Sequence, residues 1–252
     1  MRLTRTFRQP KVPVIDGPFW YVKLLSTAMG EATSDYFVHH ESPQLVVLVG
    51  AAVFAVALYN QLIAPRYLVG SYWFAVTMVS VFGTMVADVV HVALGVPYQV
   101  SAAGFALCVA ALFAAWWKVE GTLDIHSITT RRRELFYWAA VTATFALGTA
   151  VGDLSAYVVG LGFARSALVF GVLFALPGLY ALTVSRHSVG AFWSAYVLTR
   201  PFGASVADWL GVAHARGGLD WGPGNVALIF STLILLGVAE IARRERRRRP
   251  VG

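Results

Sequence analysis

Four aspartates occupy the same place in four copies of one pattern. Asp35, Asp88, Asp153 and Asp208 each follow an aromatic–Trp pair, the Asp lying fifteen residues after the Trp: Phe19-Trp20, Tyr72-Trp73, Tyr137-Trp138 and Phe192-Trp193. A glycine precedes each Asp by five positions (Gly30, Gly83, Gly148, Gly203), and the residue directly before each Asp is small (Ser34, Ala87, Gly152, Ala207). Every copy lies in an apolar stretch, and a carboxylate inside a membrane is expensive and by default functional. Carboxylates brought together cannot all stay ionised without a counter-ion, so a bound cation or shared protons must resolve the conflict. Oxygen donors suit hard divalent ions, and Mn²⁺ also accepts carboxylate or imidazole. The plainer alternative is that each Asp accepts a hydrogen bond from a neighbouring helix and only fixes packing.

The copies also differ. Four residues before the Asp stand Glu31, Thr84, Thr149 and Ala204, on the same helical face as the carboxylate. Eight before stand Thr27, Ser80, Phe145 and Arg200, and twelve before stand Lys23, Val76, Val141 and Tyr196. The first copy therefore carries a polar stripe of Lys23, Thr27, Glu31 and Asp35. The fourth carries Arg200, followed by Pro201, which is expected to kink or loosen its helix. If the copies form a ring in chain order, the first and fourth are neighbours. Lys23 and Arg200 then share one wall beneath the acidic layer, as gating groups or as counter-charges, since buried ions pair. His91, three residues after Asp88, is expected on the same face as a ligand or proton shuttle. His39, His40 and His214 cluster near the same end, whereas His126 and His187 fall in the opposite segments.

These residues need helices to position them. The chain has 252 residues, 58% hydrophobic and only 13% charged, which excludes an ordinary soluble domain. Runs such as Leu45 to Val49 do not alternate, which argues against a β-barrel. The expected fold is an all-α integral membrane protein with eight transmembrane helices. Their approximate spans are 19–39, 44–64, 71–94, 100–118, 135–159, 164–184, 190–212 and 223–242. They group into four parallel two-helix repeats, 19–64, 71–118, 135–184 and 190–242, each read as a hairpin, in a pseudo-fourfold arrangement about the membrane normal. Motif helices would line the centre and the apolar even-numbered helices would face lipid. Each glycine and the small residue four positions later form a small-xxx-small pair that lets backbones approach closely.

Basic residues gather in the tails, 1–18 and 243–252, and in loops on one side. They include Arg2, Arg5, Arg8, Lys11, Arg131 to Arg133, Arg186 and the terminal arginine run. By the positive-inside rule both termini are cytoplasmic, and the aromatic–Trp pairs mark that interface. The basic start shows no signal-peptide cleavage site. The net charge of +7 is read as topology plus contact of the tails with anionic lipid headgroups, not as nucleic-acid binding. The 118–134 loop holds Asp124, His126, Ser127 and an arginine triplet but no glycine-rich phosphate loop, and reads as a basic membrane-surface loop. Cys108 lies in an apolar run and is expected as a small core residue. No metalloprotease, redox, nucleophile-elbow or Walker motif is present.

Several segments carry a resemblance: Ile125-His126-Ser127-Ile128 with Arg131 to Glu134, Phe136-Tyr137-Trp138, Thr144 to Ala150, and Gly152-Asp153-Leu154. Lys23 with Gly30-Glu31 and Asp35 adds to it, as do Leu198-Thr199-Arg200-Pro201 and Gly203-Ala204-Ser205. Together they resemble an uncharacterised bacterial family of multi-pass membrane-anchored proteins, some labelled as predicted regulators of amylopullulanase. The resemblance implies a bacterial inner (cytoplasmic) membrane protein and little about activity.

The residues therefore predict a small transporter of a divalent, Mn-like cation rather than an enzyme. Asp35, Asp88, Asp153 and Asp208 would bind the ion, and Glu31 would complete the site or carry a coupling proton. Lys23 and Arg200 would be counter-charges or gates, with Thr84, Thr149 and His91 accessory. No resident cofactor is required; the expected partners are the lipid bilayer and the transported cation. A proton-coupled carrier of another cation is the nearest alternative. A non-transporting scaffold or sensor with structural aspartates is a second class, and an intramembrane enzyme using paired carboxylates a third.

Overall fold

The computed structural model describes residues 6, 7, 9–185 and 188–248. The expectations for Arg2, Arg5, Arg8, Arg186, His187 and Arg249 lie outside these residues. Within them the chain forms eight long α-helices: α1 (Gly17–His40), α2 (Pro43–Ile63), α3 (Val69–Asp88), α4 (Tyr98–Glu120), α5 (Arg131–Asp153), α6 (Gly162–Thr183), α7 (Val189–Gly211) and α8 (Pro223–Arg248). Local chemistry sets their starts. Asp16 accepts from the Phe19 N–H with Pro18 in the first turn of α1, Thr130 accepts from Arg133 N–H at α5, and Ser188 accepts from Ala191 N–H at α7. The Thr130 cap starts α5 four residues before its expected beginning. α8 continues through most of the arginine run, with Arg243 and Arg244 on Glu240, so this run is helical rather than a free tail.

Six helices, α2 to α6 and α8, are long and apolar enough to cross a membrane. The other two, α1 and α7, hold the buried Lys23, Glu31 and Arg200. At about 1.5 Å per residue their 24 and 23 residues extend roughly 35 Å. Their charges face inward: α1 packs on α3, α3 on α5, α5 on α7, and α7 back on α1. The four motif helices thus enclose a common interior.

The glycines explain how closely they approach. A Cβ placed on Gly30 would run into Ser80, on Gly83 into Phe145, on Gly148 into Arg200, and on Gly203 into Thr27. Each motif glycine therefore seats the residue that stands eight before the Asp of the next repeat, and the fourth repeat seats that of the first. The aromatic pairs follow the same rule. Phe19 meets Trp73 at 5.7 Å between ring centroids, Tyr72 meets Trp138 at 5.6 Å, Tyr137 meets Trp193 at 6.1 Å, and Phe192 meets Trp20 at 5.7 Å.

The outer helices interlock the repeats. α2 packs on α3, α4 on α5, α6 on α7 and α8 on α1, so each leans on the motif helix of the following repeat more than on its own. The hairpin expected for each repeat is therefore splayed open, because its apolar face finds its partner one repeat on. Large apolar side chains on these helices, such as Leu48, Leu107, Leu176 and Leu235, remain exposed. Cys108 is exposed on α4 as well, which corrects its expected core position.

Two further expectations are corrected. Trp73 and Trp138 are each 2% exposed and Trp193 6%, so these three rings pack between helices rather than standing free as lipid-facing anchors, while Trp20 is half-buried. They pack with one another's neighbours into an aromatic layer across the N-terminal ends of the motif helices, where burial of large rings outweighs contact with water. Lys11 is likewise no headgroup ligand. Its ammonium is buried, lies 2.7 Å from Glu134 and donates to the Gln61 and Leu62 carbonyls. Backbone bonds from Phe7 to Thr129 and from Lys11 to Ile128 tie the N-terminal strap to the loop before α5. In that loop Arg131 pairs with Glu134, Arg132 and Arg133 pair with Glu120, and Asp124 accepts from the His126 N–H. The arginine triplet is thus committed to carboxylates of its own chain.

Candidate functional site

The interior of the helix ring is layered at four-residue steps, because residues i and i+4 on one helix share a face. Beyond the aromatic layer comes the level of Lys23 and Tyr196. Lys23 is 1% exposed. Its Nζ donates to Thr199 Oγ1 at 3.0 Å and lies 4.2 Å from the Phe145 ring centroid and 4.3 Å from that of Tyr196. No carboxylate among the described residues lies within ion-pair distance of it.

The next two levels form one buried network around Arg200, also 1% exposed. Its guanidinium forms an ion pair with Glu31 of α1 and donates to Thr84 of α3. It also donates to Thr149 Oγ1 of α5 at 2.7 Å and to the Thr27 carbonyl at 3.1 Å. Thr84 in turn lies 3.3 Å from Glu31 Oε2. Three of the four residues that stand four before an Asp thus converge on one cation from the fourth repeat. The spacing placed Glu31, Thr84 and Thr149 at one level. The structure adds that Arg200 occupies the centre of that level, cradled against Gly148. Pro201 lies inside α7 without interrupting it, so its N–H is lost but the helix runs on.

The aspartates form the last level, all half-buried. They are not equivalent. Glu31, Asp35 and Asp208 each offer an oxygen, and these oxygens lie within 4.8 Å of one another. Asp88 and Asp153 stand outside that trio. Asp88 Oδ2 lies 3.4 Å from Ser34 Oγ, which joins α3 to α1. Asp153 has no hydrogen bond or ion pair among the described residues. An ion-sized group of carboxylates therefore gathers at the seam between the first and fourth repeats, where the sequence expectation had four symmetric aspartates. Its three oxygens are of the type that a hard divalent ion takes and would supply part of such an ion's shell.

The chain departs from plain α-helix directly after two of the aspartates. Val89–Ala93 and Leu154–Val158 wind as π-helical turns, each beginning at the residue after Asp88 or Asp153. Such wider turns recur at functional sites. No spacing rule in the sequence announces them. One consequence is that His91 does not join the carboxylates. The wider winding turns it toward α4, where it bonds Ser101 Oγ at 3.1 Å and packs 4.2 Å from the Tyr98 ring. On an unbroken α-helix it would have stayed near the Asp88 face. The remaining histidines at this end also lie apart from the trio: His39 and His40 bond backbone carbonyls one turn back, and His214 lies 3.6 Å from Asp220.

Sequence reasoning missed Thr199, the hydroxyl that holds Lys23, and the Thr27 carbonyl that holds Arg200. Thr199 is one residue from Arg200 and off the four-residue register, so only the packing of α7 on α1 reveals it.

Comparison with curated proteins and with solved structures gives no match. A family model matches three consecutive stretches, residues 71–122, 136–187 and 191–247. These correspond to the second, third and fourth repeats; the first repeat, which carries the same aromatic–Trp, Gly and Asp spacing, lies before them. The match supports an uncharacterised repeat family and adds nothing to the amylopullulanase label. Matched over more than half its length by three successive copies, the chain belongs to the family described as Repeat of Unknown Function (DUF347).

Proposed function

We propose that this protein is a small membrane transporter for a divalent, Mn-like cation, with Glu31, Asp35 and Asp208 as the ion-holding group. One observation carries the reading: three carboxylate oxygens within 4.8 Å of one another, inside the ring of motif helices. A carboxylate cluster in such a setting holds charge that must be compensated, and Arg200 already compensates Glu31. An ion entering among the trio competes with Arg200 for Glu31, so Arg200 acts as a tethered cation that yields when the ion arrives. Asp88 and Asp153 face the same level and carry the ion onward, their π-turns giving the local slack for movement.

In this reading all eight helices span the bilayer about a pseudo-fourfold axis. The cyclic contacts of the glycines and aromatic pairs support that symmetry. α1 and α7 can bear internal charge because their polar faces meet each other instead of lipid. The excess of basic residues at both termini and in the 118–134 loop supports cytoplasmic termini in a bacterial inner membrane. The aromatic layer then closes the cytoplasmic end, and the aspartates face the outer half. A coupled proton is compatible with the same site, as is another small cation.

A second reading has one observation in its favour: the Ser34–Asp88 contact bridges two motif helices, as a purely structural Asp would. Flux of Mn²⁺ into proteoliposomes, with elemental analysis of the purified protein, separates the two. Transport predicts Mn²⁺ uptake that is lost in folded Asp35→Asn and Asp208→Asn proteins. Undiminished uptake in both variants would sink the ion-site reading. A scaffold predicts no uptake by the wild type and a lower melting temperature in Asp88→Asn.

A further inference from the structure

Two cations are buried in the ring, and their surroundings differ in a way that divides their roles. Arg200 has an anion, Glu31, together with two hydroxyls and a carbonyl. Its guanidinium does not give up a proton in proteins, so it stays charged in every state. Lys23 has one hydroxyl, Thr199 Oγ1, and two ring faces. An ammonium, unlike a guanidinium, is able to become a neutral amine, and among the described residues no carboxylate lies within ion-pair distance to fix its charge. The groups facing it reinforce the contrast. From α7 come Tyr196, Thr199 and the fixed charge of Arg200; from α5 comes the apolar ring of Phe145. α3 carries only Tyr72 and Asp88 as titratable groups, near its two ends, and on α1 itself Glu31 lies two turns away and is engaged by Arg200. On α2 the sole titratable side chain is the exposed Tyr59, and on α8 the acidic and basic groups gather at the C-terminal end from Glu240 onward.

We infer that Lys23 is the proton-carrying group of the transporter, releasing one proton to water when a divalent cation enters the carboxylate trio and taking one back when the cation leaves. This rests on the transport reading above and names its coupling. In the step the N–H bond of the ammonium breaks, its electron pair stays on Nζ as the lone pair of the amine, and the proton leaves as hydronium. The arriving ion adds positive charge to a network with two buried cations, of which only Lys23 is able to answer it by giving up a proton. The aromatic layer beneath Lys23 fits this division. It is built of rings and contains buried phenols, with the Tyr72 and Tyr137 hydroxyls 2.5 Å apart, that are able to relay a proton.

The test uses purified full-length protein in proteoliposomes, Mn²⁺ as the probe, and an internal pH dye. Wild type, Lys23→Gln and Tyr137→Phe are compared for Mn²⁺ uptake and for protons moved per Mn²⁺. The wild type is expected to move protons against Mn²⁺. Folded Lys23→Gln, neutral throughout, is expected to carry Mn²⁺ down its gradient while proton movement falls by on the order of a hundredfold, the range for loss of a positioned proton carrier. Tyr137→Phe keeps the ring and is expected to slow proton movement while leaving Mn²⁺ binding unchanged. It decides the matter alone if Lys23→Gln fails to fold, and unaltered proton movement in it then overturns the assignment. Coupled proton movement at the wild-type ratio in Lys23→Gln overturns it, and so does joint loss of Mn²⁺ and proton flux in the folded variant, which would make Lys23 a fixed structural charge. A wild type that moves no Mn²⁺ refutes the transport reading itself, whereas wild-type Mn²⁺ flux with a still-coupled Lys23→Gln refutes only the role of Lys23.

Discussion

Removing one partner of the Glu31–Arg200 pair should be among the most damaging single changes in the chain, and removing both should cost clearly less than the sum of the two. Glu31 is 4% and Arg200 1% exposed, and the pair sits at the centre of the motif-helix ring. Glu31→Gln leaves the guanidinium with two threonine hydroxyls and one carbonyl but no anion. An uncompensated buried charge of this kind costs about 3–5 kcal/mol. For a chain of this size, about 2–4 °C of melting temperature goes with each kcal/mol, so the midpoint in detergent should fall by roughly 6–20 °C. Arg200→Gln leaves Glu31 with the Thr84 hydroxyl alone and should fall in the same range. The double variant places two amides side by side, which are able to hydrogen-bond each other and the same threonines. It should recover about 1.5 kcal/mol or more relative to the sum of the single changes, the coupling of groups in direct contact. Thermal unfolding of the four proteins, followed by tryptophan fluorescence, reads this directly. Strictly additive single effects would refute the argument, because they would mean that the two charges do not compensate each other.

The remaining expectations are narrower. Gly83→Ala places a Cβ 2.6 Å from Phe145 Cβ and should destabilise by about 1–3 kcal/mol through overpacking, whereas Gly104→Ala meets nothing within 4 Å and should be neutral or stabilising; melting temperatures of the two variants check the contrast. Asp208→Asn should weaken Mn²⁺ binding by on the order of tenfold or more, while Asp88→Asn, outside the trio, should leave equilibrium binding nearly intact and slow flux; isothermal titration and vesicle uptake separate the two effects. Lys11→Met leaves Glu134 paired with Arg131 but removes the tie to α2, and should free the N-terminal strap to limited proteolysis with Mn²⁺ binding unaltered.

Much of the site was legible in the linear chain because helical geometry is local. An i, i+4 step on one helix puts Glu31 beside Asp35 and Thr84 beside Asp88 whatever the neighbours do, and the four-copy register puts equivalent positions at one depth once the copies form a ring. The placement of Lys23 near Arg200 followed from the same logic, since a ring in chain order makes the first and last repeats adjacent. The packing of the tryptophans was not legible, because an aromatic–Trp pair at a helix end reads equally as an exposed ring and as one packed between helices, and only a partner decides which. Lys11 misled for the same reason: a lysine in a basic segment reads as solvated until Glu134, far along the chain, is brought to it.

The sequence by itself determined the helices, their repeat, and the depth of every chemical group within them. It also determined that on the motif stripes the carboxylates, Asp35, Asp88, Asp153, Asp208 and Glu31, would outnumber the cations, Lys23 and Arg200. What only the tertiary structure decided is who touches whom across helices. It set each glycine against the next repeat's side chain, leaned every outer helix on the following repeat, turned His91 away with a π-turn, and reduced four equivalent aspartates to a trio with Glu31 at one seam. Those outcomes depend on the rotation and separation of packed helices, which small residues and ring shapes fix jointly and no single segment encodes. The contrast between an arginine that has its anion and a lysine that has none belongs to the same class.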